Sequence, residues 1–288
     1  MCFKGGIIEG GLPDFISTGF VLIWGTANLS LPGRGDVARF WPGFWTMGNP
    51  GRPGYLATNE GMWPYTYHDE CDSGITSNQS SPDGIRFLPG MKLPACTCAG
   101  EDHPSPRKSG SAPEIDAIEA SVGAIDKEGK IVVGSTSQSV QVAPFDLGYQ
   151  PHYDHVAVYH SDFTAMNAYR GGFVQETISS ISVLNDDWRG GKQYQTYGFE
   201  YELGSEGTIE WDIGDLKTWR MSAAATGPNG NIRQRPIPNE PMAVVANMGI
   251  GSSFAYIDLA KLLSAKMRVD WYVISDCVTD FQPKDSSH

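Results

Sequence analysis

Pro113-Glu114-Ile115-Asp116-Ala117-Ile118-Glu119 sets three acids in the spacing E-x-D-x-x-E among apolar residues. Ile115 alternates with Glu114 and Asp116, as in a strand that packs one face and shows its acids on the other. Strict alternation would turn Glu119 to the opposite face. One extra residue between Asp116 and Glu119, a β-bulge, brings all three acids back to a single face. Carboxylates in a row repel one another, so a sheet that keeps them is usually using them. Two glutamates flanking a bond, with an aspartate between them to share protons, are what retaining glycoside hydrolysis requires.

The rest of the chain reads as all-β. It has 288 residues, with Gly 34 and Pro 19. Short apolar runs alternate with turn signals such as Pro82-Asp83-Gly84 and Pro228-Asn229-Gly230, the signature of a sandwich. Strands are predicted at Lys130–Val133, Gly198–Glu202, Gly207–Asp212, Ala243–Asn247 and Arg268–Ile274, with one helix at Ile257–Lys266. A formal charge of −12 and a pI near 4.9 argue against nucleic acid as a partner, since phosphates would be repelled. A neutral polysaccharide is compatible with that charge.

Upstream of the acids lie Trp41-Pro42-Gly43-Phe44-Trp45-Thr46-Met47-Gly48-Asn49, then Glu60-Gly61-Met62-Trp63-Pro64-Tyr65-Thr66-Tyr67, and later Leu93-Pro94-Ala95-Cys96-Thr97-Cys98-Ala99-Gly100-Glu101-Asp102-His103-Pro104. Downstream come Ser137-Gln138-Ser139-Val140-Gln141-Val142, Tyr197-Gly198-Phe199-Glu200-Tyr201, Arg235-Pro236-Ile237-Pro238-Asn239-Glu240-Pro241-Met242 and Met267-Arg268-Val269-Asp270-Trp271. In this order they resemble the fungal β-glucan synthesis-associated proteins of the KRE/SKN type, a laminarinase-like branch of glycoside hydrolase family sixteen. The resemblance runs from about Cys2 to Trp271. It implies a β-jelly-roll sandwich of the concanavalin A type, lacking its first strand or strands, whose concave face grips β-glucan. It further implies Glu114 as nucleophile, Glu119 as general acid/base and Asp116 as the group adjusting both. The expected activity is that of a retaining β-glucan glycosidase or transglycosylase in building or remodelling cell-wall β-1,6/β-1,3-glucan. The rival reading is a non-catalytic glucan-binding or assembly factor.

The same resemblance divides the chain into a sandwich domain at 1–275 and a tail at 276–288. The family strand that begins Gly5-Gly6-Ile7-Ile8-Glu9 runs straight to a Leu-Pro-Gly turn; here Gly10 to Leu29 intervene before Leu31-Pro32-Gly33, and this segment is read as an insertion outside the core. The family resembles type II membrane proteins, which implies the secretory pathway or the cell surface. The apolar run Phe15–Gly25 is far short of the roughly 20 residues that cross a bilayer.

Eight tryptophans are either core or platforms on which glucose rings stack. Trp45 and Trp63 are the expected cleft residues, and Trp211, between Glu210 and Asp212, faces either the core or the cleft. Gln195 stands where many laminarinases resemble this site with a histidine beside the scissile bond. Gln138 and Gln141 either bind hydroxyls or decorate an edge. Trp45, Trp63, Trp211, Gln138 and Gln195 thus form the expected substrate-binding set.

Of the five cysteines, Cys71, Cys96 and Cys98 sit close enough for a disulfide, with zinc disfavoured because Cys96 and Cys98 are separated by one residue. Asn28-Leu29-Ser30 and Asn78-Gln79-Ser80 are glycosylation sequons. His152, His155 and His160 read as a surface loop. No cofactor is expected to be required. The resemblance implies one optional group, a structural calcium with Asp270 among its ligands.

Overall fold

The computed structural model describes residues 2–3, 22–31, 40–48, 114–122, 134–142, 149–172, 175–228, 234–238, 242–249 and 266–276. Trp63, Cys71, Cys96, Cys98, Asn78, the strand expected at 130–133, the helix expected at 257–266 apart from its last residue, and the tail beyond Asp276 lie outside these.

Fourteen strands are described, and they form two antiparallel sheets packed face to face. One holds β1 (Cys2–Phe3), β3 (Trp41–Gly48), β4 (Glu114–Val122), β5 (Gly134–Val142), β7 (Thr164–Met166), β8 (Gly171–Gly172), β9 (Gln175–Leu184) and β13 (Met242–Gly249). Its order is β1-β13-β3-β4-β5-β9-β7, with β8 also on β9. The other sheet runs β14 (Arg268–Asp276), β2 (Leu22–Ser30), β10 (Gln195–Glu202), β11 (Thr208–Ile213), β12 (Leu216–Ser222), β6 (Val156–Val158). This is the all-β sandwich anticipated from the turn-punctuated sequence, in the jelly-roll form that the family resemblance implied. Among the described residues no helix is long and apolar enough to cross a membrane.

Period-two alternation explains the core. Ile115, Ile118, Val140 and Ile178 from the first sheet meet Leu29, Phe199, Ile209, Trp211 and Trp219 from the second, all at most 2% exposed. Trp211 and Trp219 stack with ring centroids 3.9 Å apart and planes 5° from parallel. On the outer face of the second sheet, Lys217 reaches Glu200, Glu210 and Asp212 at 3.2, 3.1 and 3.8 Å.

The reading of Gly10–Leu29 as an insertion outside the core is corrected over Leu22–Leu29. Leu22–Ser30 is an interior strand, antiparallel to β10 on one side and β14 on the other. Ala27 and Leu29, with Leu31 after the strand, are wholly buried, so alternate residues of this segment fill the space between the sheets. A sheet interior offers partners for every backbone N–H and C=O, which a surface loop does not. The apolar run that begins at Phe20 leads into a core strand.

Candidate active site

The three acids lie on β4, an interior strand with β3 and β5 as neighbours. Along β5, Asp116 pairs with Ser139 and Glu119 with Ser137, so Ala117 and Ile118 share the single residue Gln138 opposite them. Along β3, Ile118 pairs with Phe44 and Asp116 with Trp45, which leaves Ala117 as the extra residue of a β-bulge. Ala117 and Ile118 both turn into the core, at 0% exposed. The bulge thereby resets the alternation, and Glu114, Asp116 and Glu119 share the outward face.

Their carboxyl oxygens come within 4.8 Å of one another, one from each residue. Acids this closely grouped are of the kind retaining glycosidases use, with carboxyls about 5–5.5 Å apart. All three acids are buried, Glu119 being the most exposed at 8%. Burial holds Glu114 well above the usual carboxylate range, and the charges of Asp116 and Glu119 add to the effect. Burial also raises Glu119, helped by the charge on Asp116 and opposed by hydrogen bonds from Trp41 and Ser139. Asp116 is pushed up to about 6 by burial, against hydrogen bonds from Ser139, Gln141 and Glu114 that favour its charged form. The cluster therefore keeps protons at a pH where exposed carboxyls have lost theirs.

Neighbouring strands furnish the fixed dipoles. Ser139 Oγ donates to Asp116 Oδ2, and Gln141 Nε2 reaches the same oxygen at 3.4 Å and Ser139 Oγ at 3.2 Å. Trp41 Nε1 donates to Glu119 Oε1 at 3.0 Å. Trp45, opposite Asp116 in register, is half-buried and donates from Nε1 to Asn247 Oδ1 at 2.8 Å. Gly43 sits opposite Glu119; a Cβ there would lie 2.7 Å from Asn247 Oδ1 and 3.2 Å from Trp45 Cδ1, so the tryptophan–asparagine pair requires glycine beneath it. Trp45, Trp41 and the three acids thus occupy one face. Trp41 was missed in the sequence, although it opens the same Trp-Pro-Gly-Phe-Trp string as Trp45.

Three of the expected sugar-binding residues lie elsewhere. Trp211 is 0% exposed between the sheets: Glu210 and Asp212 turn outward to Lys217, and alternation sends the indole inward. Gln138, also 0% exposed, faces the core because Ser137 and Ser139 on either side of it face the acids. Gln195 belongs to β10 of the second sheet, paired with Leu29, and its Oε1 accepts from Thr196 N at 3.1 Å. Those three expectations are corrected. Asp270 is exposed and its Oδ2 accepts from Asn28 Nδ2 at 3.2 Å. Among the described residues the cluster of three acidic, histidine or cysteine side chains close enough to share an ion is the acid triad, and Asp270 is not part of it. His152 precedes and His155 ends the short turn Tyr153–His155, on the surface as expected.

The chain matches the family model described as "Beta-glucan synthesis-associated protein SKN1/KRE6/Sbg1" over residues 2–286. It is 48% identical over 264 residues to the beta-glucan synthesis-associated protein SKN1 of Candida albicans, covering 90% of this chain and 34% of that protein. It is 49% identical over 236 residues to KRE6 of Saccharomyces cerevisiae, covering 80% of this chain and 32% of that protein. The chain therefore spans about a third of the length of these curated relatives. With the family model matched almost from end to end, the chain belongs to the SKN1/KRE6/Sbg1 family of beta-glucan synthesis-associated proteins.

Proposed function

We propose that this domain is a retaining glycosidase or transglycosylase acting on β-linked glucan during cell-wall glucan assembly. One observation carries the reading: the bulge at Ala117 sets Glu114 and Glu119 on one face of a sheet interior, with one carboxyl oxygen of each within 4.8 Å of the other and of one from Asp116. The names of the relatives supply the polymer class, β-glucan.

In this mechanism Asp116 takes up the proton shared with Glu114, freeing the Glu114 carboxylate to attack the anomeric carbon. A carbon–oxygen ester bond forms as the glycosidic bond breaks, and the departing oxygen takes the proton held by Glu119. An acceptor hydroxyl, of water or of a second glucan chain, then attacks the same carbon. The ester opens, Glu114 recovers its charge, and Glu119 receives the acceptor proton. Trp41 and Trp45 supply flat faces for the sugar rings on either side of that carbon. Burial raises Glu119 well above the usual carboxylate range, the direction a general acid needs.

Glu114→Gln tests the assignment, because the amide keeps the shape but cannot form the ester. Turnover of β-gluco-oligosaccharides should vanish while binding of the same oligosaccharides stays within a few-fold of the parent by calorimetry. Equal turnover in variant and parent would remove Glu114 as nucleophile.

A further inference from the structure

The bulge that gathers the acids takes backbone carbonyls of β4 out of regular register. Two are captured from behind. Trp211 Nε1 donates to Asp116 O at 2.9 Å, and Gln138 Nε2 donates to Ala117 O at 3.0 Å. Both donors are 0% exposed; Trp211 belongs to the second sheet, and Gln138, on β5 of the first, is braced against it. The same Gln138 nitrogen reaches Asp212 O at 2.9 Å, while Gln138 Oε1 accepts from Thr218 Oγ1 at 2.6 Å. Thr218 also donates to Trp211 O at 3.2 Å. The result is a buried polar bridge from β11 and β12 to the two carbonyls that define the bulge.

An apolar core has no need of such a bridge, since polar groups held between sheets cost free energy unless every one is matched. Trp211 and Trp219 make the point by contrast. They are stacked on each other and equally buried, yet among the described residues Trp219 Nε1 has no hydrogen-bond partner, whereas Trp211 Nε1 is aimed at Asp116 O. Packing alone would treat the pair alike.

We infer that Gln138 and Trp211 are positioning residues: Trp211 from the second sheet, and Gln138 from the neighbouring strand β5 tied to that sheet, clamp the bulge carbonyls and thereby fix where Glu114, Asp116 and Glu119 stand relative to the reacting sugar. This rests on the glycosyl-transfer reading given above, but the clamp itself is a separate structural claim. An acid displaced by about 1 Å forfeits up to 10²-fold in rate. The effect should fall on the chemical step, since neither residue reaches the outward face.

The test compares Trp211→Phe with Trp219→Phe in the full chain. Each keeps a ring in the stack and loses similar packing; only the first loses the bond to Asp116 O. Two readouts are taken: kcat and KM on a β-gluco-oligosaccharide, and the carboxyl titration of the triad by carbon-13 NMR. Trp211→Phe should lower kcat by about 10- to 100-fold with KM within about twofold, and should displace the triad titration. Trp219→Phe should leave both near the parent. If Trp211→Phe does not fold, Gln138→Met serves in its place, since it keeps the chain length and loses the donors. Equal kcat in the two tryptophan variants overturns the inference, as does an unmoved titration in the Trp211 variant. Should the parent show no turnover at all, the glycosyl-transfer reading fails, and the titration alone decides whether the clamp sets the acids.

Discussion

Leu29→Ala separates a core strand from a surface insertion. Leu29 is 0% exposed, on a strand hydrogen-bonded to β10 and β14, and it packs into the cluster with Phe199 and Trp211. Truncating a leucine in such a place costs about 2–5 kcal/mol, through lost transfer free energy and the cavity left behind. For 288 residues the unfolding entropy near the midpoint is about 0.6 kcal/mol per kelvin, taking roughly 2.1 cal/mol/K per residue. The melting temperature should therefore fall by about 3–8 °C. The neighbour Asn28 turns the other way and donates to exposed Asp270, so Asn28→Ala should cost about 1 kcal/mol or less, under about 2 °C. Circular dichroism melts of the parent and both variants suffice. A Leu29→Ala shift below about 1 °C, or one no larger than that of Asn28→Ala, would refute the placement of this strand between the sheets.

Two further outcomes follow from the acids and their donors. Burial raises Asp116 from 3.8 to about 6, a difference that corresponds to about 3 kcal/mol. The folded state holds that proton more tightly, so this stability is complete below pH about 4 and is lost as pH rises through 6. Chemical denaturation across that range should show Asp116→Asn gaining about 3 kcal/mol on the parent between pH 4 and 7, and a constant difference would contradict the buried triad. Trp41→Phe removes the donor that favours the charged form of Glu119, so the alkaline limb of the pH–rate profile should move upward; an unmoved limb would show that this bond does not set the acid/base.

The sequence carried the acids and their bulge because both follow from period two: only an added residue reconciles E-x-D-x-x-E with a single face. It also carried β10 and β11, whose apolar residues alternate, and β13 and β14, which stand out as short apolar runs. The assignment of β2 failed because collinearity with the family made Gly10–Leu29 look foreign. Yet Ala27, Leu29 and Leu31 alternate as an interior strand should, and that local signal was the better guide. Trp211 and Gln138 were misplaced for a different reason. Their type suits sugar binding, but side-chain direction depends on strand phase, and phase here is set by the bulge opposite Gln138 and by the partners of Glu210 and Asp212 across the outer face. Trp41 was legible only as composition, since its bond to Glu119 joins residues 78 apart in sequence.

The central claim is that Glu114 forms a covalent bond to the sugar while Glu119 manages the proton. Incubating the chain with an activated 2-deoxy-2-fluoro β-gluco-oligosaccharide, which forms the ester but opens it slowly, and then weighing intact protein and peptides, tests this most directly. The account predicts one glycosyl adduct per chain, carried on the peptide containing Glu114 and absent from Glu114→Gln. A folded parent that acquires no adduct, or an adduct that persists in Glu114→Gln, would contradict it.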